Sequence, residues 1–130
     1  MILGLGIDII EIERIKKSVD NHGEKFLNRI FTKTELEYSL NKKNKYQHLA
    51  ARFAAKEAII KAISPFNKTF SWKDIEINNQ LSGMPTVKFH GRLKDFLGED
   101  KLLHVSMSHS DNYVTCVAVL SQKSFSKDNS

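Results

Sequence analysis

The chain has 130 residues with 41% apolar and 27% charged content, enough for one domain with a core that needs no disulfide support. A single cysteine, Cys116, excludes an intrachain disulfide and fits a reducing cytosol. The net charge of +5 favours an acidic partner, without choosing among nucleic acid, anionic lipid, a phosphorylated small molecule and an acidic protein.

The opening MILGLGIDII is apolar, but it lacks the basic flank and cleavage site of a signal peptide, and no run approaches the length of a membrane span. Residues 2–7 read as a buried strand in which Gly4 and Gly6 let something pack closely against the backbone. Residues 11–20 have a helical pattern, with Ile12, Ile15 and Val19 on one face, and 24–31 form a second short piece. Thr32 and Glu35 match a capping box, so a helix begins there. The basic loop 41–45 leads into the longest helix candidate, 46–63, which Ser64-Pro65 ends. Residues 72–78 alternate like a strand, 78–85 turn, and 86–90 return. A short helix over 91–98 closes at Gly98, and 101–109 with 113–120 form a hairpin around Ser110-Asp111-Asn112. This order implies an α+β fold with a mainly antiparallel sheet, a domain over 1–120 and a polar, frayed tail over 121–130.

The stretch 52–63, RFAAKEAIIKAI, places Arg52, Lys56, Glu57 and Lys61 in an otherwise apolar helix. At about 100° per residue, Leu49, Phe53, Ile59, Ile60 and Ile63 form one stripe and the alanines a nearly opposite face, so the helix packs on both sides. Glu57 and Lys61 are spaced for an ordinary i,i+4 ion pair, with Arg52 and Lys56 snorkelling from a partly buried edge. The other reading is a metal or phosphate site at a buried seam, where lone charges would be costly. Asp8 has the same two readings. With Glu11 it fits a helix N-cap, and it also fits a carboxylate ligand for Mg²⁺ at a strand end. No Cys/His spacing suits zinc. In 104–112, His104, Ser106 and Ser108 share one strand face, and His109 and Ser110 sit where the strand turns, as ordinary turn chemistry or as phosphate donors. There is no hydrolase elbow or triad.

Three segments taken together, GIDIIEIERI at 6–15, RFAAKEAIIKAI at 52–63 and HVSMSHSDNYVTCVAV at 104–119, resemble the bacterial holo-acyl-carrier-protein synthases, the short single-domain 4′-phosphopantetheinyl transferases. The turn SGMP before TVKF sits where that family has its Gly-x-Pro element. The resemblance implies transfer of the phosphopantetheine arm of coenzyme A to a serine of apo acyl carrier protein, with 3′,5′-ADP released. It implies a Mg²⁺-dependent, cytoplasmic enzyme of fatty acid biosynthesis that works as a homotrimer and needs no nucleic acid or membrane. Carried over by motif, Asp8 and Glu57 hold Mg²⁺, Lys61 meets the pyrophosphate, and His109 and Ser110 lie near the phosphates. Arg52 and Lys43, in a loop that also holds Lys42 and Lys45, meet the 3′-phosphate, and Gly83, Met84 and Pro85 border the adenine. Arg14, Lys25 and Arg29 dock the acidic carrier. Glu35 is a guess for the base that accepts the serine proton, and Lys56 has no assigned role. Two other classes stay open: a basic nucleic-acid-binding module and a coenzyme A binder without catalysis.

Overall fold

The computed structural model describes residues 1–67 and 69–124. Strand β1 (Ile2–Glu11) is followed by helices α1 (Ile12–His22), α2 (Glu24–Ile30), α3 (Lys33–Leu40) and α4 (Lys45–Ile63). A 3₁₀ turn (Trp72–Asp74) leads into β2 (Ile75–Asn79) and β3 (Pro85–Phe89), then α5 (Gly91–Leu97), β4 (Lys101–His109) and β5 (Tyr113–Gln122). All strand pairings are antiparallel, in a three-stranded sheet of order β1-β5-β4 and a separate β2-β3 hairpin. The α+β expectation is met, and its helices and strands fall close to where the sequence pattern puts them.

Helix α4 is the centre of the molecule. Ala54, Ala55, Ala58, Ile59, Ala62 and Ile63 are fully buried, as two-sided packing requires. Its alanine side lies directly on β1. A Cβ built on Gly4 would stand 1.9 Å from the Ala62 carbonyl oxygen, and one on Gly6 would stand 1.9 Å from that of Ala58. The contact repeats because two residues of strand span about 6.6 Å and four of helix about 6 Å. The strand's period of two then decides which side chains meet the helix. Gly4, Gly6, Asp8 and Ile10 face it, while Leu5, Ile7 and Ile9 face away.

Two local readings are corrected. Asp8 does not cap α1; it lies within β1, opposite Cys116, and the helix starts at Ile12 with no side-chain cap. The ladder partners offered by β5 carry the strand four residues past Ile7, beyond the point where the apolar run breaks. Likewise Trp72, Lys73 and Asp74 form the 3₁₀ turn before β2 starts at Ile75. Elsewhere the signals are realised directly. Thr32 Oγ1 accepts from the Glu35 amide at 3.2 Å, and Glu35 Oε1 accepts from the Thr32 amide at 2.8 Å. The first residues of the expected tail, Ser121 and Gln122, continue β5, and the Gln122 amide donates to the Met1 carbonyl at 2.8 Å. The rest of that expectation, 125–130, lies outside the described residues.

Candidate active site

Asp8 and Glu57 meet. They line one small polar cavity of about 230 Å³ with Ile9, Ile10, Arg14, Ile15, Ser18, Phe26 and Phe53. The strand's alternation turns Asp8 toward α4, and the close glycine contact brings the helix near enough for Glu57 to reach the same space. Burial pushes the Glu57 carboxyl above the usual carboxylate range, and the Asp8 charge pushes the same way. The i,i+4 pair read from the sequence is not the one formed. Lys61 Nζ reaches across to β1, donating to the Ile7 carbonyl at 2.9 Å and lying 3.4 Å from Asp8 Oδ1. Two carboxylates and a cation from separate elements thus converge.

Two like charges facing one cavity are the donor set of a hard divalent cation. Among the described residues no cluster of three or more His, Cys, Asp or Glu is placed to hold a metal. Asp8 and Glu57 could hold Mg²⁺, which keeps waters and takes phosphate oxygens alongside one or two carboxylates.

The remaining charges of the helix behave differently from the snorkelling expected of them. Lys56 is fully buried and pairs with an equally buried Glu35 at 2.7 Å. Its Nζ also donates to the Ile30 carbonyl at 2.7 Å and the Trp72 carbonyl at 3.1 Å. Desolvation lowers the Lys56 pKa, against the pull of Glu35. Glu35 accepts from the Ile77 amide at 2.8 Å as well, so both its oxygens are committed and shielded from any substrate. It is not the base that takes the serine proton. Arg52 is only 3% exposed. It donates to Asn79 Oδ1 at 2.7 Å and stacks over the Tyr38 ring at 4.6 Å, while Asn79 in turn donates to the Gly83 carbonyl at 3.1 Å. The Arg52 guanidinium thus braces the turn that holds Gly83, Met84 and Pro85.

The other expected residues fall into neighbouring places. His109 and Ser110 line a 190 Å³ hollow with Ile9, Ser108, Tyr113 and Thr115, and the Thr115 hydroxyl donates to the Asp8 carbonyl at 2.8 Å. Ile9 borders both hollows, so the strand end abuts the carboxylate pair. Lys25 and Arg29 rim a 490 Å³ groove floored by Phe26, Ile30 and Trp72, and Phe26 is also a wall of the Asp8–Glu57 cavity. Met84 and Pro85 line a separate 490 Å³ cleft against β4, away from the carboxylates of their own chain. Gly83 has φ 86°, which explains a glycine there. Lys43 is exposed in the 41–44 turn.

The ACPS pattern, that of the 4′-phosphopantetheinyl transferase superfamily, matches residues 4–118. The chain belongs to this superfamily. A holo-[acyl-carrier-protein] synthase from Protochlamydia amoebophila is 48% identical over 122 residues, covering 93% of this chain and 99% of that protein. Among solved structures, the holo-[acyl-carrier-protein] synthase of Neisseria meningitidis superposes with a TM-score of 0.85 at 31% identity, over 94% of this chain and 100% of the other. The Bacillus anthracis enzyme, in complex with CoA (3′,5′-ADP), gives 0.79 at 36% identity, over 95% and 99%.

Within this 4′-phosphopantetheinyl transferase, three residues escape sequence reasoning. Arg14, expected to dock the carrier, is exposed and also lines the cavity of Asp8 and Glu57. Its spacing from Asp8, across a strand-to-helix junction, carries no helical signal. His48 packs edge-on against Tyr38, 5.5 Å between ring centres. Burial lowers its pKa, and Arg52, Lys42 and His109 add to the effect, so His109 lies within electrostatic reach of the start of α4. Asn79, the link from Arg52 to the Gly83 turn, reads only as turn composition.

Proposed function

We propose that this chain transfers the 4′-phosphopantetheine arm of coenzyme A to a serine hydroxyl of an apo acyl carrier protein, releasing 3′,5′-ADP, with Mg²⁺ held by Asp8 and Glu57. The supporting observation is that Asp8 and Glu57, from β1 and α4, share one polar cavity, with Lys61 lying 3.4 Å from Asp8. The serine oxygen gives its proton to solvent water and bonds to the β-phosphorus, the bond from that phosphorus to the bridging oxygen breaks, and the electron pair leaves on 3′,5′-ADP. Bound Mg²⁺ would offset charge on the transferring and leaving phosphates. Lys61, with its side chain 53% exposed beside Asp8, is placed to bind the pyrophosphate and oppose the same charge. His109 and Ser110 offer further donors at the adjoining strand end. The Lys25–Arg29 groove, basic at its rim and apolar at its floor, suits an acidic carrier with an apolar anchor, and Phe26 connects it to the reaction cavity. Arg14, exposed at the lining of that cavity, adds a further cation for the carrier.

On this reading the chain works as a homotrimer. Leu5, Ile7 and Ile9 are 65%, 63% and 66% exposed in a row on β1, beside the half-buried Val117 and Val119. A row of this kind marks a contact surface, and Ile9 at its end touches the His109 hollow. A partner seated there would complete the coenzyme site, bringing another chain's Met84–Pro85 cleft or Lys43 turn into use. The substrates place the reaction in the cytoplasm and at the start of fatty acid biosynthesis, where the carrier must be loaded. No helix among the described residues is long and apolar enough to cross a membrane.

The test is to incubate the protein with apo acyl carrier protein, coenzyme A and Mg²⁺ and weigh the carrier by mass spectrometry. The expected result is a gain of one phosphopantetheine, abolished by chelator. Glu57→Gln is expected to keep the fold and lose about 100-fold or more in kcat/KM, the scale of several kcal/mol of charge stabilisation. Near-normal turnover in that variant would sink the metal assignment.

A further inference from the structure

Glu57 is aimed by its backbone. Among the described residues no hydrogen bond or ion pair holds its carboxylate, although Asp8 has Lys61. What fixes the rotational phase of α4 therefore fixes Glu57. The apolar surfaces of the helix do this poorly, because alanine and isoleucine faces tolerate repacking and lose uniqueness before they lose stability. The residue before Glu57 is the one with directional bonds. All three hydrogens of the Lys56 ammonium are used, by Glu35 Oε1, the Ile30 carbonyl and the Trp72 carbonyl. Glu35 carries the connection on to the Thr32 and Ile77 amides. One buried ion pair thus ties α4 to the end of α2, the cap of α3, the 3₁₀ turn and the middle of β2. A buried ion pair is a poor source of stability and is often replaceable by apolar residues without loss. Its directional demands are what an apolar pair would lack.

We propose that Lys56, clamped by Glu35, is a positioning residue that sets the phase of α4 and so aims Glu57 at the cavity it shares with Asp8. Residue 57 follows residue 56 by about 100° around the helix, so a rotation that loosens one turns the other away. The inference rests on the metal role given to Glu57 above, and it assigns no contact between Lys56 and substrate.

Two variants separate positioning from stability. Lys56→Met leaves Glu35 buried without a partner and is expected to melt at a lower temperature. Lys56→Met combined with Glu35→Gln removes both charges and recovers much of that loss. Mn²⁺ binding, followed by electron paramagnetic resonance without substrates, is measured beside Mg²⁺ half-saturation, kcat and the KM for coenzyme A. Positioning predicts weaker metal binding by about 10-fold or more in both variants, the usual scale for residues that orient ligands. It also predicts a lower kcat and a coenzyme KM within about twofold of wild type. Metal affinity that returns with thermal stability in the double variant overturns the proposal, as does a Lys56→Met protein with unchanged Mn²⁺ binding. A wild-type chain that binds Mn²⁺ but transfers nothing overturns the proposed reaction and leaves the positioning result readable. A wild-type chain that binds no Mn²⁺ overturns the positioning proposal, and the mass of the carrier still decides the reaction separately.

Discussion

Four charges in twelve residues of α4 have four different fates. Glu57 faces a cavity, Lys61 crosses to β1, Arg52 braces a turn and Lys56 anchors the helix inside the core. Burial sorts them. A helix packed on two sides leaves only narrow seams, and a charge off the seam must find its partners inside. Cys116 shows the same logic for a neutral group. It is 1% exposed, and burial, aided by the Asp8 charge, raises its thiol to about 11. A thiol held in its protonated form is a weak nucleophile. Native protein at pH 8 is therefore expected to resist a disulfide reagent that labels the same residue at once in guanidinium, and fast labelling of the native form would contradict this burial. Sequence could name Glu57 and Lys61 as site residues only through the resemblance of three distant segments, because their i,i+4 spacing points to a pair that does not form. It could not show that Arg52 and Lys56, which share one helix edge, are both buried rather than snorkelling, since that depends on what lies opposite them. Their partners, Asn79 and Glu35, are 27 and 21 positions away in the chain.

At the scale of elements, β1 and α4 form the frame of the site. Their approach depends on two glycines meeting two helix carbonyls. Gly6→Ala forces a methyl carbon into the Ala58 carbonyl, where neither backbone can yield. The expected cost is about 3 kcal/mol or more, the upper end for overpacking, read as a lowered denaturant midpoint. A variant within about 0.5 kcal/mol of wild type, the noise of surface substitutions, would mean the strand and helix are not in contact there. The glycines are readable from sequence as a close approach, and the alanine face as its complement. The extension of β1 through Asp8 is not, because strand length here is set by the ladder β5 offers rather than by apolar alternation. Asp8-Ile9-Ile10-Glu11 satisfies the local rules for a helix cap and loses to those long-range hydrogen bonds.

For the whole molecule, the unpartnered row of Leu5, Ile7 and Ile9 is the largest departure from a self-contained fold. It lies on the sheet face opposite α4, so a charge placed there reaches neither the core nor Asp8. Ile7→Glu is expected to leave the chain folded, to convert a species of three chains into single chains in sedimentation, and to lower turnover by separating the halves of each site. Wild-type protein that sediments as one chain would refute the trimer. Alternation along the strand makes this face visible as sequence only in part, since a run rich in isoleucine reads equally as a strand buried on both sides.

The main-chain contact of β1 with α4 has a further consequence for motion. Two backbones in touch set how closely the strand that carries Asp8 approaches the helix that carries Glu57. Separating those two elements requires parting the central helix from the sheet, which is global unfolding. In native-state hydrogen exchange, amides at the middle of β1 and α4 should share the slowest class and the same free energy. Those of the 80–84 turn, which borders the Met84–Pro85 cleft, should exchange by local fluctuation. The molecule would then hold its metal ligands rigid through each turnover and leave compliance to the turn beside that cleft.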